Sequence, residues 1–144
     1  MSSFFKNKAK DKEINQLIFD VVEYNRESDE KELFSRMKDL ELYTPIVKAN
    51  FEIENEKAVR LEKGMEVALQ YVTIDNSKVG LFFVNKNDTR LTNQFVALTC
   101  VEVFNMIEQL PDLNGFIFYN NQEYSFGIPK NSFSIIRKKY NLYW

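Results

Sequence analysis

Few side chains in this sequence are suited to catalysis, and those few are carboxylates and a thiol. The chain contains no histidine, which removes Ser-His-Asp and Cys-His mechanisms, histidine-ligated zinc and haem, and histidine as a general base. Glu52, Glu54 and Glu56 alternate on one side of a possible strand. Such a row more often forms a solvated edge that discourages strand association than a catalytic pair. We therefore predict no catalytic carboxylate here.

The single cysteine, Cys100, is the other candidate. Its position near a predicted helix N-terminus would lower the pKa of its thiol. The same residue falls on the apolar stripe of that helix, and a buried free cysteine usually behaves as a small hydrophobic residue. We expect Cys100 to lie in the core. One cysteine also excludes an internal disulfide and suits a reducing cytoplasm.

Binding motifs for cofactors and metals are equally scarce. With four glycines the chain has neither a GxxxxGK[ST] loop nor a GxGxxG loop to hold phosphate. No set of Asp and Glu residues has the spacing of a calcium loop. The sequence therefore predicts a protein that is not an enzyme and that takes no cofactor and no metal.

Length and charge narrow the class further. The 144 residues suit one domain, with residues 1–10 as a flexible lead and 11–144 as the folded unit. A net charge of −2 argues against a dedicated nucleic-acid binder, which would carry a basic face. No segment has the length and apolarity of a signal peptide or of a bilayer span of ~20 residues. We predict a soluble cytoplasmic protein with no nucleic-acid or membrane partner.

The N-terminal part predicts two amphipathic helices joined by a polar turn. The first begins near Asp11, a possible cap, and the second near Ser28. Their apolar stripes follow helical spacing and comprise Ile14, Leu17, Ile18, Val21 and Val22, then Leu33, Phe34, Met37 and Leu40. Two short helices in this arrangement predict an antiparallel helical hairpin.

A period of two then indicates strands. Residues 41–47 predict a strand. Because proline cannot donate a hydrogen bond to a ladder, Pro45 indicates that this strand either lies at an edge of the sheet or ends early. Residues 48–66 form either a short hairpin or a loop. Residues 67–74 and 79–84 are the strongest strand candidates, and the second is apolar on both faces, as in the middle of a sheet.

The C-terminal half predicts further elements of both kinds. A short strand precedes the capping box Thr99–Glu102, which opens a helix. Residues 114–140 predict a strand, a two-residue turn at Asn120-Asn121 with positive φ, a return strand, and a helix with Pro129 in its first turn. The fold class that results is α+β: a mixed or antiparallel sheet of about five strands packed by helices, with the N-terminal helical hairpin.

Two aromatic regions are candidates for recognition. Tyr119 and Tyr124 flank the Asn120-Asn121 turn, which is also explained by turn chemistry alone. The C-terminal pair Tyr143 and Trp144 either folds back on the core or sits in an interface between copies. We expect a monomer or a weak homo-oligomer.

Three segments resemble the N-terminal domain of the SseB family, whose bacterial members are described as enhanced serine sensitivity or type III secretion SseB-like proteins. They are ELYTPIV, VALQYVTIDNSKVGLFFVN and DLNGFIFYNNQEYSFGIPKNSFSII, within about residues 11–138. The matching residues are Leu42, Tyr43, Pro45, Phe83, Asn85, Gly115, Asn120, Phe126, Ile128 and Pro129. The family's Asn-Pro-Gly turn is replaced by Asn-Asn-Gln here, and its Phe-Thr-Ser by Phe-Val-Asn.

The resemblance implies a fold rather than a reaction, since the family has no settled biochemical activity. Our leading hypothesis is a non-catalytic bacterial protein that acts by binding an unidentified protein partner. The alternative is a small-metabolite sensor, with the family's serine-sensitivity label pointing to an amino acid. An enzyme that uses carboxylates or Cys100 ranks last.

Overall fold

The helical hairpin is present as predicted. The computed structural model describes residues 12–50, 58–91 and 94–141. Helix α1 spans Ile14–Tyr24 and α2 spans Glu27–Met37. Asn25, in the left-handed conformation, ends α1 and donates its N–H to the carbonyl of Val21. The two predicted N-cap residues are not confirmed. Asp11 lies outside the described residues. Ser28 lies inside α2, which begins one residue earlier.

The sheet is mixed, and its main path runs β2-β6-β1-β5-β7-β8. The strands are β1 Glu41–Ala49, β2 Ala58–Val59, β3 Val67–Leu69, β4 Tyr71–Ile74, β5 Ser77–Phe83, β6 Phe95–Thr99, β7 Gly115–Tyr119 and β8 Ser125–Pro129. Strands β5 and β7 are parallel, as are β2 and β6, and the other pairs are antiparallel. The predicted fold class is confirmed, with additional short strands.

Pro45 shapes the sheet in a way that the sequence did not reveal. The prediction of an edge or an early end was wrong, because β1 lies inside the sheet and continues to Ala49. Its pairing with β5 stops at Tyr43. Beyond that point Gln70 lies between the two strands: its N–H donates to the carbonyl of Pro45, and its carbonyl accepts from the N–H of Leu81. Strand β1 then pairs with β3 instead of β5.

The same wedge explains why the predicted strand 67–74 is two strands. Gln70 separates β3, which pairs with β1, from β4, which pairs with β5. The turn between β4 and β5 holds Asp75 and Asn76 with φ of 50° and 67°. Two consecutive positive φ values give the type I′ turn that matches the twist of a hairpin. Residues 51–57, which include part of the segment 48–66 and all of Glu52, Glu54 and Glu56, lie outside the described residues.

The capping box is confirmed with both of its hydrogen bonds. The N–H of Glu102 donates to Thr99 Oγ1 at 3.2 Å, and the N–H of Thr99 donates to Glu102 Oε1 at 2.9 Å. Helix α3 follows as Cys100–Gln109. A short 3₁₀ turn leads into α4, Phe133–Lys139. The placement of Pro129 in the helix was wrong, because it ends β8 and precedes the 3₁₀ turn.

The four helices of the described residues all contribute to one apolar core on a single face of the sheet. Phe82 and Phe116 from the sheet pack with Phe104 of α3 and Phe133 of α4, and the last two rings stack at 4.3 Å. The opposite face carries a smaller apolar cluster of Leu81, Phe83, Leu91, Phe95 and Ile117. We call this second surface the open face. Strand β5 therefore lies inside the sheet and carries buried apolar side chains on both faces, as predicted.

Candidate functional sites

The loop between β7 and β8 differs from the predicted two-residue turn. Tyr119 pairs with Ser125, so five residues connect the strands. Glu123, not Asn120 or Asn121, holds the positive φ of this loop, at 68°. The side-chain carbonyl of Asn120 holds the loop in shape, because it accepts hydrogen bonds from the backbone N–H groups of Gln122 and Tyr124, both at 2.9 Å.

Asn120 is fully buried and belongs to an amide network that joins three elements. Its Nδ2 donates to the backbone carbonyl of Asn15 in α1 at 2.8 Å. Asn15 Oδ1 accepts from Asn85 Nδ2 at 2.7 Å and from the N–H of Asn121 at 2.8 Å. Asn85 follows the end of β5. Because each buried amide has partners, the network fixes the first turn of α1 against the ends of β5 and β7.

Arg90 extends this network toward the open face. It forms a two-pronged ion pair with buried Asp88, with Nε–Oδ1 at 2.9 Å and Nη2–Oδ2 at 2.7 Å. Nη2 also donates to the carbonyl of Asn120 at 2.6 Å. The guanidinium lies 4.8 Å from the ring centre of Phe83 and 4.9 Å from that of Tyr119. Hydrogen bonds to Arg90, against an opposing effect of burial, hold the pKa of Asp88 below its usual value.

The structure divides the predicted recognition residues. Tyr119 lies on the open face beside Arg90, while Tyr124 packs edge-to-face on Phe19 of α1 at 4.6 Å. Asn120 is buried and structural, and Asn121 is exposed. Tyr143 and Trp144 lie outside the described residues. The two tyrosines therefore lie in different surroundings, and a role of this loop in recognition stays a prediction.

A depression of about 520 Å³ opens beside Arg90 on the open face. Its lining combines apolar side chains such as Val72 and Leu81 with polar groups from Gln70, Arg90 and Glu123. The sequence had not pointed to Arg90, since it lies in a polar turn with no motif. The one available signal was the local spacing Asp88-x-Arg90, which is too common to identify a site.

A larger groove, of about 740 Å³, lies on the helix side between α3 and the β3–β4 segment. Most of its lining is apolar and consists of Leu61, Met65, Val67, Leu69, Tyr71, Phe82, Met106, Leu110 and Leu113. Gly80 lies in its floor and has no room for a side chain, because an added Cβ would lie 2.9 Å from the Phe82 ring. We call this surface the apolar groove.

A buried charge cluster stabilises the helical hairpin. Lys12 Nζ lies 2.6 Å from both Asp20 and Asp29, and Arg26 Nε lies 2.9 Å from Asp29. Burial acts to raise the pKa of Asp20, but hydrogen bonds from Lys12 and Gln16 outweigh it and hold that pKa below its ordinary value. Every carboxylate and cation in this cluster has a partner of opposite charge, so its role is structural.

Cys100 lies in the core as predicted, with no exposed surface. Burial raises the pKa of its thiol to about 12. Desolvation therefore outweighs the helix N-terminus, and the thiol is a poor nucleophile at neutral pH.

Across residues 12–50, 58–91 and 94–141, no three Cys, Asp or Glu side chains come together in an arrangement that suits a metal ion. No helix within those ranges has the length and apolarity needed to cross a bilayer.

Comparison of the chain with protein-family models, with curated proteins and with solved structures found no match.

Proposed function

We propose that this protein acts by binding another protein, and that the apolar groove is its binding surface. The supporting observation is the concentration of exposed apolar side chains there. Leu61, Tyr71 and Leu110 are 37%, 49% and 41% exposed, and all three line the groove. Exposed apolar side chains are ordinary when scattered singly, but a contiguous group around a concave surface is typical of a partner site.

The composition of the groove also suits a protein partner. Met65 and Met106 contribute flexible, polarisable side chains that adapt to the shape of a bound surface. Charged residues are confined to Glu66, Lys78 and Asp112, so the apolar lining is bordered by a few polar groups. An apolar centre with a polar rim is the usual anatomy of a protein interface.

A matched pair of variants tests the proposal. Leu110→Lys places a charge in the groove, whereas Ile135→Lys places the same charge at another exposed apolar position, on α4, that does not line it. Each immobilised variant and the wild type are used to capture proteins from a lysate of the source cells, and captured proteins are quantified by mass spectrometry. We expect at least one protein that wild type and Ile135→Lys retain and Leu110→Lys loses.

The proposal fails if the captured proteins are the same for both variants while both keep the melting temperature of the wild type. A protein lost equally from both variants does not use the groove and counts against the proposal.

The second candidate function is the sensing of a free amino acid at the depression beside Arg90. One observation favours it: a guanidinium and a carboxylate, Arg90 and Glu123, line the same depression. These charges complement the carboxylate and the ammonium of an amino acid, and the volume is in the range of small-molecule sites. Asp88 already pairs with the guanidinium, which weakens its attraction for a ligand.

Thermal unfolding with a panel of amino acids tests this alternative. A ligand at 100 times its dissociation constant raises the free energy of unfolding by about 2.7 kcal/mol. Glu123→Gln, a change at an exposed loop residue, is expected to abolish the shift if the ammonium is bound there. A panel that leaves the melting temperature unchanged rejects the sensor hypothesis.

We also propose that this chain is a member of the SseB family and that it works in the cytoplasm of a bacterium. The order of β1, the β4–β5 hairpin and the β7–β8–α4 unit supports the family resemblance. The single buried cysteine supports a reducing compartment.

A further inference from the structure

The accessible sulfur atoms of the described residues lie together in the apolar groove. Met65 and Met106 both line the groove, and both side chains are half-buried. The other two sulfur-containing residues in the described part of the chain, Met37 and Cys100, have no exposed surface. An oxidant dissolved in water therefore reaches the sulfur atoms of the groove and not those of the core.

The two thioethers belong to the two walls of the groove. Met106 lies on α3, four residues before Leu110, and Met65 precedes β3. The N–H of Glu62 donates to the sulfur of Met65 at 3.4 Å, and the N–H of Met65 donates to the carbonyl of Glu62 at 3.0 Å. These two bonds close a turn that holds the sulfur at the groove, and its second lone pair remains available to an oxidant.

Cys100 does not compete with these thioethers for an oxidant. The thiolate is the reactive form of a cysteine. Because burial raises the pKa of the Cys100 thiol to about 12, this thiol is protonated at neutral pH as well as shielded from solvent. Mild oxidation of the folded chain is therefore directed to methionine.

We propose that Met65 and Met106 are sites of reversible oxidation by hydrogen peroxide, and that their sulfoxides prevent the apolar groove from binding a partner. The second part rests on the proposed function of the groove. In each reaction a sulfur lone pair attacks one peroxide oxygen, the O–O bond breaks, and the other oxygen leaves as water. The thioether is oxidised and the peroxide is reduced. A dithiol, acting through a methionine sulfoxide reductase, restores the thioether, releases water and becomes a disulfide.

A sulfoxide changes the groove because it replaces a flexible apolar group with a polar one. The side chains that line the groove with the two methionines include Leu69, Phe82 and Leu113, which have no hydrogen-bond donor to offer a sulfoxide oxygen. A partner that covers the groove buries this oxygen away from water, and a polar group buried without a hydrogen bond opposes binding. One such group is expected to weaken partner binding by about ten-fold.

Peptide mass spectrometry of the folded chain after brief treatment with hydrogen peroxide tests the sites. We expect Met65 and Met106 each to gain one oxygen, whereas Met37 should gain one only after denaturant is added. Circular dichroism shows that the treated protein remains folded. The proposal is overturned if Met37 of the folded chain oxidises as fast as the two methionines of the groove, or if either of those two stays unmodified.

Binding of Nile red, an uncharged dye that fluoresces in apolar surroundings, tests the consequence. Leu110→Lys should weaken dye binding and Ile135→Lys should not, which shows that the dye reports on the groove. Peroxide should then weaken binding by the wild type at least several-fold, and the reductase should restore it. A double variant, Met65→Leu with Met106→Leu, keeps the apolar volume without an oxidisable sulfur and should bind the dye equally before and after peroxide.

Undiminished dye binding by the oxidised wild type overturns the proposal, and so does an equal loss of binding in the double variant. Neither result bears on the proposed function, which fails instead if Leu110→Lys and Ile135→Lys capture the same proteins. Dye binding that Leu110→Lys leaves unchanged rejects the groove as an apolar binding surface, and both proposals fail with it.

Discussion

Replacement of Asn120 by alanine is expected to be among the most destabilising polar substitutions in this chain. The side chain has no exposed surface and makes three hydrogen bonds. Alanine removes all of them and leaves two backbone N–H groups and the carbonyl of Asn15 without these partners. The β7–β8 loop also loses the acceptor that holds its shape.

The magnitude follows from the count of bonds. Each intramolecular hydrogen bond contributes about 1 kcal/mol net, and a buried group left without a partner costs about 1–3 kcal/mol. Some of the freed groups will reach water once the loop relaxes, so the total loss is estimated at about 3 kcal/mol. For a domain of this size that loss lowers the melting temperature by roughly 6–12 °C.

Asn121→Ala is the matched control, since it makes the same chemical change one residue later. Asn121 is exposed and contributes its backbone N–H to Asn15, a bond that alanine keeps. The control should alter the free energy of unfolding by no more than about 0.5 kcal/mol. Urea unfolding followed by circular dichroism gives both values.

The reasoning is refuted if Asn120→Ala costs less than about 1 kcal/mol, or if the two variants lose the same stability. The first result would mean that the loop keeps its shape without the side-chain acceptor, and the second that the loss does not come from the buried side chain of Asn120.

Three more outcomes are expected. Gly115→Ala should lower the free energy of unfolding by about 3 kcal/mol or more, because Gly115 has a φ of +151° and an added Cβ would collide with a β8 carbonyl. Gly64→Ala should lower it by about 1 kcal/mol, because φ is +90° there but the surrounding space is open. Urea unfolding of the two variants compares these losses. Cys100 should react with a thiol reagent at pH 8 only after denaturant is added, because its thiol is buried and its pKa is about 12; fast reaction of the native protein would contradict this. The pKa of Asp20 is lower in the folded chain than in the unfolded chain, so its stabilising effect is present above about pH 4 and is lost as the pH falls through the folded pKa. Acid unfolding of Asp20→Asn should consequently show a weaker pH dependence below pH 4 than that of the wild type, and equal slopes would refute the assignment.

Local features were predicted well where neighbouring residues decide the structure. The capping box at Thr99 needs two side chains three residues apart, and the stripes of α1 and α2 follow helical spacing. Burial of Cys100 also follows from its place on an apolar stripe.

The sequence predictions were wrong where contacts between distant residues decide the structure. Pro45 was taken as the end of a strand because it lacks a donor, yet Gln70, 25 positions later, supplies the N–H that its carbonyl accepts. The 67–74 strand is divided for the same reason. No local pattern marks Gln70 as the residue that bridges two strands.

The Asn120-Asn121 turn shows the same limit at the candidate site. Two asparagines between strands favour a tight turn with positive φ. In the folded chain Asn120 is instead drawn inward by the carbonyl of Asn15, which lies 105 positions earlier. Arg90 is held at the open face partly by the carbonyl of Asn120, which lies 30 positions later, and its isolated position in the sequence gave no reason to select it.

The sequence by itself determined the α+β class, the helical hairpin, the aromatic core and the scarcity of catalytic groups, because composition and short periods depend on side-chain chemistry alone. Tertiary structure decided which polar groups are buried, where the sheet divides at Pro45 and Gln70, and which apolar side chains remain exposed around the apolar groove. Those features depend on contacts between residues far apart in the chain, and a hydrogen bond or an exposed surface of that kind exists only once the chain has folded.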